Sequence, residues 1–198
     1  MTKHLALFDF DGTLTRKDTL VELIKFTAGS ARYYLGLLWL SPTLIAFALR
    51  WIPNWRAKEF LFGHFFRGMT EQDFLQTGKK FAETVVPQLI RPSALAAMQR
   101  HIASGARVVI VTASSAAWIK PWSDALGIEL IATQWEVVAG KLTGKIQGRN
   151  CHGEEKKRRV LEKLNLADYT DISVYGDTSG DHAMLTLGTK QYYRHFTD

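Results

Sequence analysis

Short apolar runs that stop abruptly at an acid, a hydroxyl or a glycine alternate along this chain with longer segments of helical period. That alternation limits the fold more than any other feature, because a parallel sheet needs a long crossover, usually a helix, between successive strands. Residues 5–8, 107–111, 128–132 and 172–175 read as strands. Helices are expected at 92–104 with Gly105 as the stop, at 116–126 with Gly127 as the stop, and at 154–165. The order predicts an α/β fold with a doubly wound parallel sheet. Residues 137–143 read as two short strands around the turn 139–141, a small antiparallel hairpin attached to that sheet.

One stretch departs from the rhythm. Between Thr15 and Val86 the pattern is helical, broken by Gly29, Pro42, Pro53, Gly63 and Gly68, with Thr70-Glu-Gln-Asp73 as a capping-box start. The expectation is an all-helical insertion, residues 16–87, in a core formed by residues 1–15 and 88–198. The insertion is rich in aromatics. Ten of the chain's 23 aromatic residues (Phe 11, Trp 6, Tyr 6) lie between 33 and 66, and residues 33–49 carry no formal charge.

Composition closes off several classes. In 198 residues, 46% hydrophobic and 22% charged, there is core enough for one medium domain and no room for a long disordered tail. Cys151 is the single cysteine and the six histidines fall at no zinc-ligand spacing, which sets aside disulfide and zinc scaffolds. No basic segment followed by a long apolar one precedes the first strand, so a cytoplasmic setting is expected. The net charge of +6 and the run Lys156 to Arg159 match no nucleic-acid recognition motif, and no nucleic-acid partner is expected.

Chemistry concentrates at the strand ends. The first strand runs into Phe8-Asp9-Phe10-Asp11-Gly12-Thr13. Residues i and i+2 of an extended chain point the same way, so Asp9 and Asp11 present two carboxylates on one side, and Gly12 lets the chain turn. Such strand ends are where open α/β sheets bind ligands. The last strand ends in Gly176-Asp177-Thr-Ser-Gly-Asp181, with Asp181 expected to open a helix reaching Leu187. Two acid pairs together offer a hard cation such as Mg²⁺ the oxygen ligands it takes. Thr112, at the end of a third strand, can donate its hydroxyl to a phosphoryl oxygen, although ordinary β propensity also places threonine there. Finally, Lys156-Lys-Arg-Arg159 opens a helix, where the macrodipole disfavours positive charge, so some anion must offset it. Successive helical positions rotate by about 100°, and at most one or two of these bases can face one site.

Acid pair, hydroxyl, lysine, acid pair, in this order and at these places, resemble the haloacid dehalogenase superfamily of aspartate-nucleophile phosphohydrolases. The likeness is greatest to the subgroup with a helical cap after the first motif, the phosphoserine phosphatase-like subfamily IB. The resemblance implies a Rossmann-like core, a helical C1 cap and a Mg²⁺-dependent phosphatase. It implies Asp9 as nucleophile, Asp11 as acid and base, and Mg²⁺ held by Asp9, the Asp11 backbone carbonyl and Asp177. Thr112 and Lys156 would hold phosphate, with Asp181, Gly12 and Thr13 in support. Lys157 competes with Lys156, which is preferred because Cys151-x-Gly-x-Glu-Lys156 resembles the subgroup's wording.

A phospho-receiver signalling domain also combines acids, a threonine and a lysine on such a sheet. By family resemblance its acid pair is contiguous, whereas Asp9 and Asp11 are not. The substrate reading is a small-molecule or lipid phosphate monoester. Phosphoserine phosphatases carry Arg-Val-x-x-Leu-x-Gly in the cap, and here Phe62 stands at that arginine's position, while Asp18 matches the acid for the amino group. The aromatic insertion is expected to pack within the cap, against a second subunit as a homo-oligomer, or on a membrane surface as a peripheral contact; Ser41-Pro42 argues against a full span.

Overall fold

The computed structural model describes residues 3–198. Five parallel strands form one sheet in the order β3-β2-β1-β6-β7: β1 His4–Phe8, β2 Arg107–Ser115, β3 Glu129–Thr133, β6 Asp171–Gly176 and β7 Lys190–Tyr193. A separate two-stranded antiparallel sheet pairs β4 Trp135–Val138 with β5 Lys141–Ile146.

The central strand shows why these residues make this sheet. Alternate side chains of β1 enter opposite cores: Ala6 and Phe8 join one cluster, Leu5 and Leu7 the other, and all four are buried. A strand covered on both faces reads as a continuous apolar run, as 5–8 does. Val108 and Ile110 of β2 follow Phe8, while Val109, Val111 and Val174 follow Leu7.

Seven helices lie between β1 and β2: α1 Thr19–Ala28, α2 Ser30–Trp39, α3 Ser41–Ala48, α4 Asn54–Phe66, α5 Glu71–Thr84, the single-turn α6 Val86–Leu89 and α7 Pro92–Ala103. Thr70 caps α5 as its sequence predicts, accepting from the Asp73 amide at 3.1 Å. After β2 come α8 Ala116–Ala125 and, beyond the hairpin, α9 Glu154–Lys163.

Four details differ from the sequence reading. The hairpin is longer than 137–143 and is not attached to the main sheet. It joins the helical segment instead: the Gly68 amide donates to the Leu142 carbonyl and the Leu142 amide to the Met69 carbonyl, each at 2.9 Å, and Phe62 of α4 stacks on Trp135 with ring centroids 3.5 Å apart. A Cβ on Gly144 of β5 would come within 2.8 Å of the Gly63 Cα of α4, so the two backbones touch where both side chains are hydrogen. β2 continues past Val111 to Ser115. The helix expected from Asp181 to Leu187 is a 3₁₀ turn, Ser179–Asp181, and a single turn α10, His182–Leu185. β7 adds an edge strand that its mixed sequence, Lys-Gln-Tyr-Tyr, does not announce.

Helix α5 fastens the helical segment to the sheet layer by packing on α8, which buries Trp118 completely. At the crossing, a Cβ on Gly78 would lie 2.3 Å from the backbone oxygen of Ala117, and backbone cannot give way as a side-chain tip can. Gly78→Ala is therefore expected to lower unfolding free energy by about 1–3 kcal/mol. Urea unfolding would show this against Gly105→Ala, where the added methyl meets nothing within 4 Å but the positive φ of 76° is strained.

Candidate active site

Register brings the acids together. Phe8 of β1 pairs with Tyr175 of β6, which pairs with Tyr192 of β7. The three rings stack across the sheet, with centroids 4.3 Å and 4.4 Å apart. The chain leaves β1 one residue later and β6 two residues later: the Asp9 amide donates to the Tyr175 carbonyl at 3.0 Å, and Asp177 follows Gly176. On the other side of β1, Phe8 pairs with Ile110, so Thr112 stands two residues past that level. The chain runs outward from β1 in both directions, to β2 and β3 and to β6 and β7, and the site occupies this switch point.

Asp9, Asp177 and Asp181 each place a carboxylate oxygen within 4.8 Å of the others. Lys156, from the first turn of α9, is buried and donates to Asp9 Oδ1 and, at 2.6 Å, to Asp181 Oδ1. The other Asp181 oxygen accepts from the Asp177 amide at 3.2 Å and from the Thr178 amide and hydroxyl, each at 3.0 Å. Thr13 donates to Asp177 Oδ1 at 3.0 Å. Gly12 is required twice over: its φ is +88°, and a Cβ there would lie 2.3 Å from Asp177 Oδ2.

Asp11 faces a different set of groups. Its Oδ1 accepts from the Thr19 amide at 2.7 Å and its Oδ2 from the Ser114 hydroxyl at 2.5 Å. Behind Ser114, the Thr19 hydroxyl donates to it at 3.2 Å and in turn accepts from Trp118 Nε1 at 3.0 Å. The cation set that the resemblance implies takes the Asp11 backbone carbonyl, with the Asp9 and Asp177 carboxylates, and leaves the Asp11 side chain free for these bonds. Among the described residues the carboxylates that share one small space are Asp9, Asp177 and Asp181, while Asp11 lines the same cavity with its two oxygens bonded to Thr19 and Ser114.

Burial is the largest influence on the site's protonation. It pushes Asp9 up to about 8, against the opposing charge of Lys156, and raises Asp177. It also raises Asp11, with the charge of Asp18 adding to the effect. For Asp181 burial acts in the same direction, but the Lys156 charge and its hydrogen bonds prevail and hold it below the usual carboxylate range. For Lys156 burial favours the neutral amine, and the charges of Asp9 and Asp181 outweigh it and keep the ammonium. The carboxylates of Asp9, Asp177 and Asp181, close together and offering only oxygen donors, fit a hard divalent cation.

The run of four bases resolves into separate jobs. Lys156 enters the site, and Lys157 reaches the Thr186 hydroxyl at 3.1 Å. Arg158 and Arg159 both clasp the buried Glu155, at 2.6 Å and 2.9 Å, which supplies the anion that a helix start requires. Asp9, Asp11, Thr112 and Lys156 line one cavity of about 480 Å³, walled by Leu44 and Phe47 of α3. A larger one, about 760 Å³, lies against Arg56, Glu59 and His64, away from the acids. Thr112 also accepts from the Ser114 amide at 2.9 Å.

Sequence reading misses Ser114 and Lys58. Ser114 is two residues past Thr112 on the same strand, and i, i+2 alternation could have marked it. Lys58 of α4 donates to the Ala113 carbonyl at 2.6 Å at the cavity wall, and burial lowers its pKa. Nothing local in α4 signals that placement.

This chain belongs to the haloacid dehalogenase-like hydrolase family, whose pattern matches residues 6–186. It is 37% identical to Protein CicA of Caulobacter vibrioides over 194 residues, 97% of this chain and 86% of that protein. Among solved structures, a protein of unknown function from Bordetella pertussis Tohama I superposes with a TM-score of 0.83 at 26% identity, covering 96% of this chain and 88% of that one. A phosphoserine phosphatase, solved as a phospho-aspartyl intermediate analogue, has a TM-score of 0.64 at 19% identity, covering 95% and 84%, and shares the fold.

The Glu155 clasp makes a prediction about pH. The Arg158 hydrogen bonds, with Arg159 assisting, hold the Glu155 carboxyl down to about 2 from an ordinary 4.5, although burial opposes them. A depressed folded-state pKa contributes stability above the unfolded value and loses it as pH falls toward the folded one. Glu155→Gln should cost on the order of 1 kcal/mol at pH 7. Thermal unfolding of both proteins should show that gap narrowing between about pH 4.5 and pH 2.

Proposed function

We propose that this chain is a Mg²⁺-dependent phosphomonoester hydrolase that works through an aspartyl-phosphate on Asp9. The observation that carries the reading is a buried carboxylate at the floor of the cleft, fixed by an ammonium on one side and flanked by an independently held acid, Asp11. A carboxylate oxygen of Asp9 attacks phosphorus, the new O–P bond forms as the P–O bond to the alcohol breaks, and Asp11 gives the departing oxygen its proton. Water then attacks the phosphorus, Asp11 takes that water's proton, and phosphate leaves with Asp9 restored. Asp9, Asp177 and the Asp11 backbone carbonyl would hold Mg²⁺. When bound, it neutralises charge on the transferring phosphoryl oxygens. Thr112 and Lys156 hold the remaining oxygens, and Asp181 positions Lys156.

Within this reading residues 16–87 are the cap over a core of 1–15 and 88–198, and the substrate is a small-molecule or lipid phosphate whose alcohol is largely apolar. Leu44, Phe47 and Leu61 supply the apolar wall. Phe62, at the position where phosphoserine phosphatases carry their carboxylate-binding arginine, is fully buried against Trp135 and does not reach the cleft. Asp18 both lines the cleft and caps α1, its Oδ1 accepting from the Val21 amide at 3.0 Å.

Steady release of phosphate from p-nitrophenyl phosphate with Mg²⁺ is expected, and its loss in EDTA. A single phosphorylation without turnover would favour a receiver domain. Asp9→Asn should abolish turnover with the fold retained, and wild-type activity in that variant would exclude the nucleophile. Asp11→Asn should slow turnover by about 10²–10⁴-fold. In a panel of phosphomonoesters, those with apolar alcohols should exceed phosphoserine in kcat/KM.

A further inference from the structure

The helices that wall the cleft leave an apolar face uncovered. α3 contains no charged residue and buries none of its eight residues. α2 buries only Tyr33 and Gly36. The inner side of α2 is committed to α4, since a Cβ on Gly36 would lie 2.4 Å from the Phe65 ring. Its outer side presents Leu35, Leu38 and Trp39, and Ile45, Leu49 and Trp51 continue the exposed set through α3 and the turn after it. Leu38 is 71% exposed, and Trp39 and Trp51 are each 77% exposed. Helices of globular domains bury such a stripe, and an exposed one marks a contact surface.

Charge selects the partner. Between Glu22 and Glu59 the sequence holds five cations, Lys25, Arg32, Arg50, Arg56 and Lys58, and no acid. Arg32, Arg50 and Arg56 are exposed. A second copy of this chain docked through the same face would set acid-free cationic surfaces against each other, which like-charge repulsion opposes. An anionic bilayer is complementary on both counts. Tryptophan and tyrosine settle at the headgroup level, leucine and isoleucine enter the acyl boundary, and arginines meet lipid phosphates. At ten and eight residues, α2 and α3 suit helices lying in the interface plane, and no helix among the described residues is long and apolar enough to cross a membrane. Arg50 sits at φ 60°, a conformation costly for a residue with a Cβ, in the turn that carries Trp51.

We propose that α2, α3 and the Arg50-Trp51 turn dock this protein on an anionic lipid surface. Leu44 and Phe47 of the same α3 line the cleft, so docking brings the cleft mouth to the lipid. The docking is independent of the catalytic reading.

The test is sedimentation of the purified chain with vesicles of phosphatidylcholine alone, or of phosphatidylcholine mixed equally with phosphatidylglycerol, at low and high salt. Binding is expected to the mixed vesicles, weakening as salt rises. Leu38→Ser/Trp39→Ser/Trp51→Ser should reduce partitioning about tenfold or more. Arg32→Ser/Arg50→Gly should flatten the salt dependence. Circular dichroism and thermal unfolding should match the unaltered protein for both variants. A protein that stays in the supernatant at low salt overturns the proposal, as does binding unaffected by the triple substitution. Light scattering that finds a dimer, turned monomeric by that substitution, would assign the face to a second copy and overturn it too. Vesicle binding without turnover of p-nitrophenyl phosphate would retain the docking and remove the catalytic reading.

Discussion

Lys156 is a charge whose side chain is almost wholly buried, and the rest of the site depends on how that charge is compensated. Removing an ammonium from water costs several kcal/mol in practice, and it is tolerable only with excellent geometry and further hydrogen bonds. Here two carboxylates meet it, Asp9 from the end of β1 and Asp181 from the turn after β6. The remaining oxygen of Asp181 is bonded in turn to Asp177 and Thr178. One ammonium thereby ties a helix to the ends of two strands. Without it, buried carboxylates would face one another with nothing to offset their repulsion.

The sheet supplies the precision that this arrangement needs. A parallel ladder with Phe8 opposite Tyr175 delivers Asp9 one residue and Asp177 two residues past that pair, and the stacked rings of Phe8, Tyr175 and Tyr192 resist slippage. Asp11, two residues on, leaves the ladder and is held by a separate line of donors from Trp118 through Thr19 and Ser114. Two carboxylates so close in sequence are therefore fixed by different parts of the molecule. Lys156 opposes the effect of burial at Asp9, and the bonds from Ser114 and Thr19 oppose it at Asp11.

The helical segment between β1 and β2 faces two ways. α5 and the hairpin anchor it through close backbone contacts at Gly78 and at Gly63 with Gly144, where no side chain intervenes. α2 and α3, farther along, hold little in the core, and their residues serve the cleft wall on one side and an exposed apolar face on the other.

The amino-acid sequence by itself determined the parallel α/β rhythm, the helical stretch after β1 and the strand-end acids, because these rest on local periodicity: i, i+2 alternation, helical spacing, and glycines at stops. It also narrowed four consecutive bases to one or two that could face a common site. Only the tertiary structure decided that Lys156 enters, that Asp181 joins Asp9 and Asp177 while the Asp11 carboxylate is held by Thr19 and Ser114, and that the hairpin belongs to α4. Key bonds among those responsible join residues far apart, Thr19 to Ser114 across 95 positions and Asp9 to Lys156 across 147. No window of local sequence contains both partners, and their meeting depends on strand order and register, which exist only once the chain has folded.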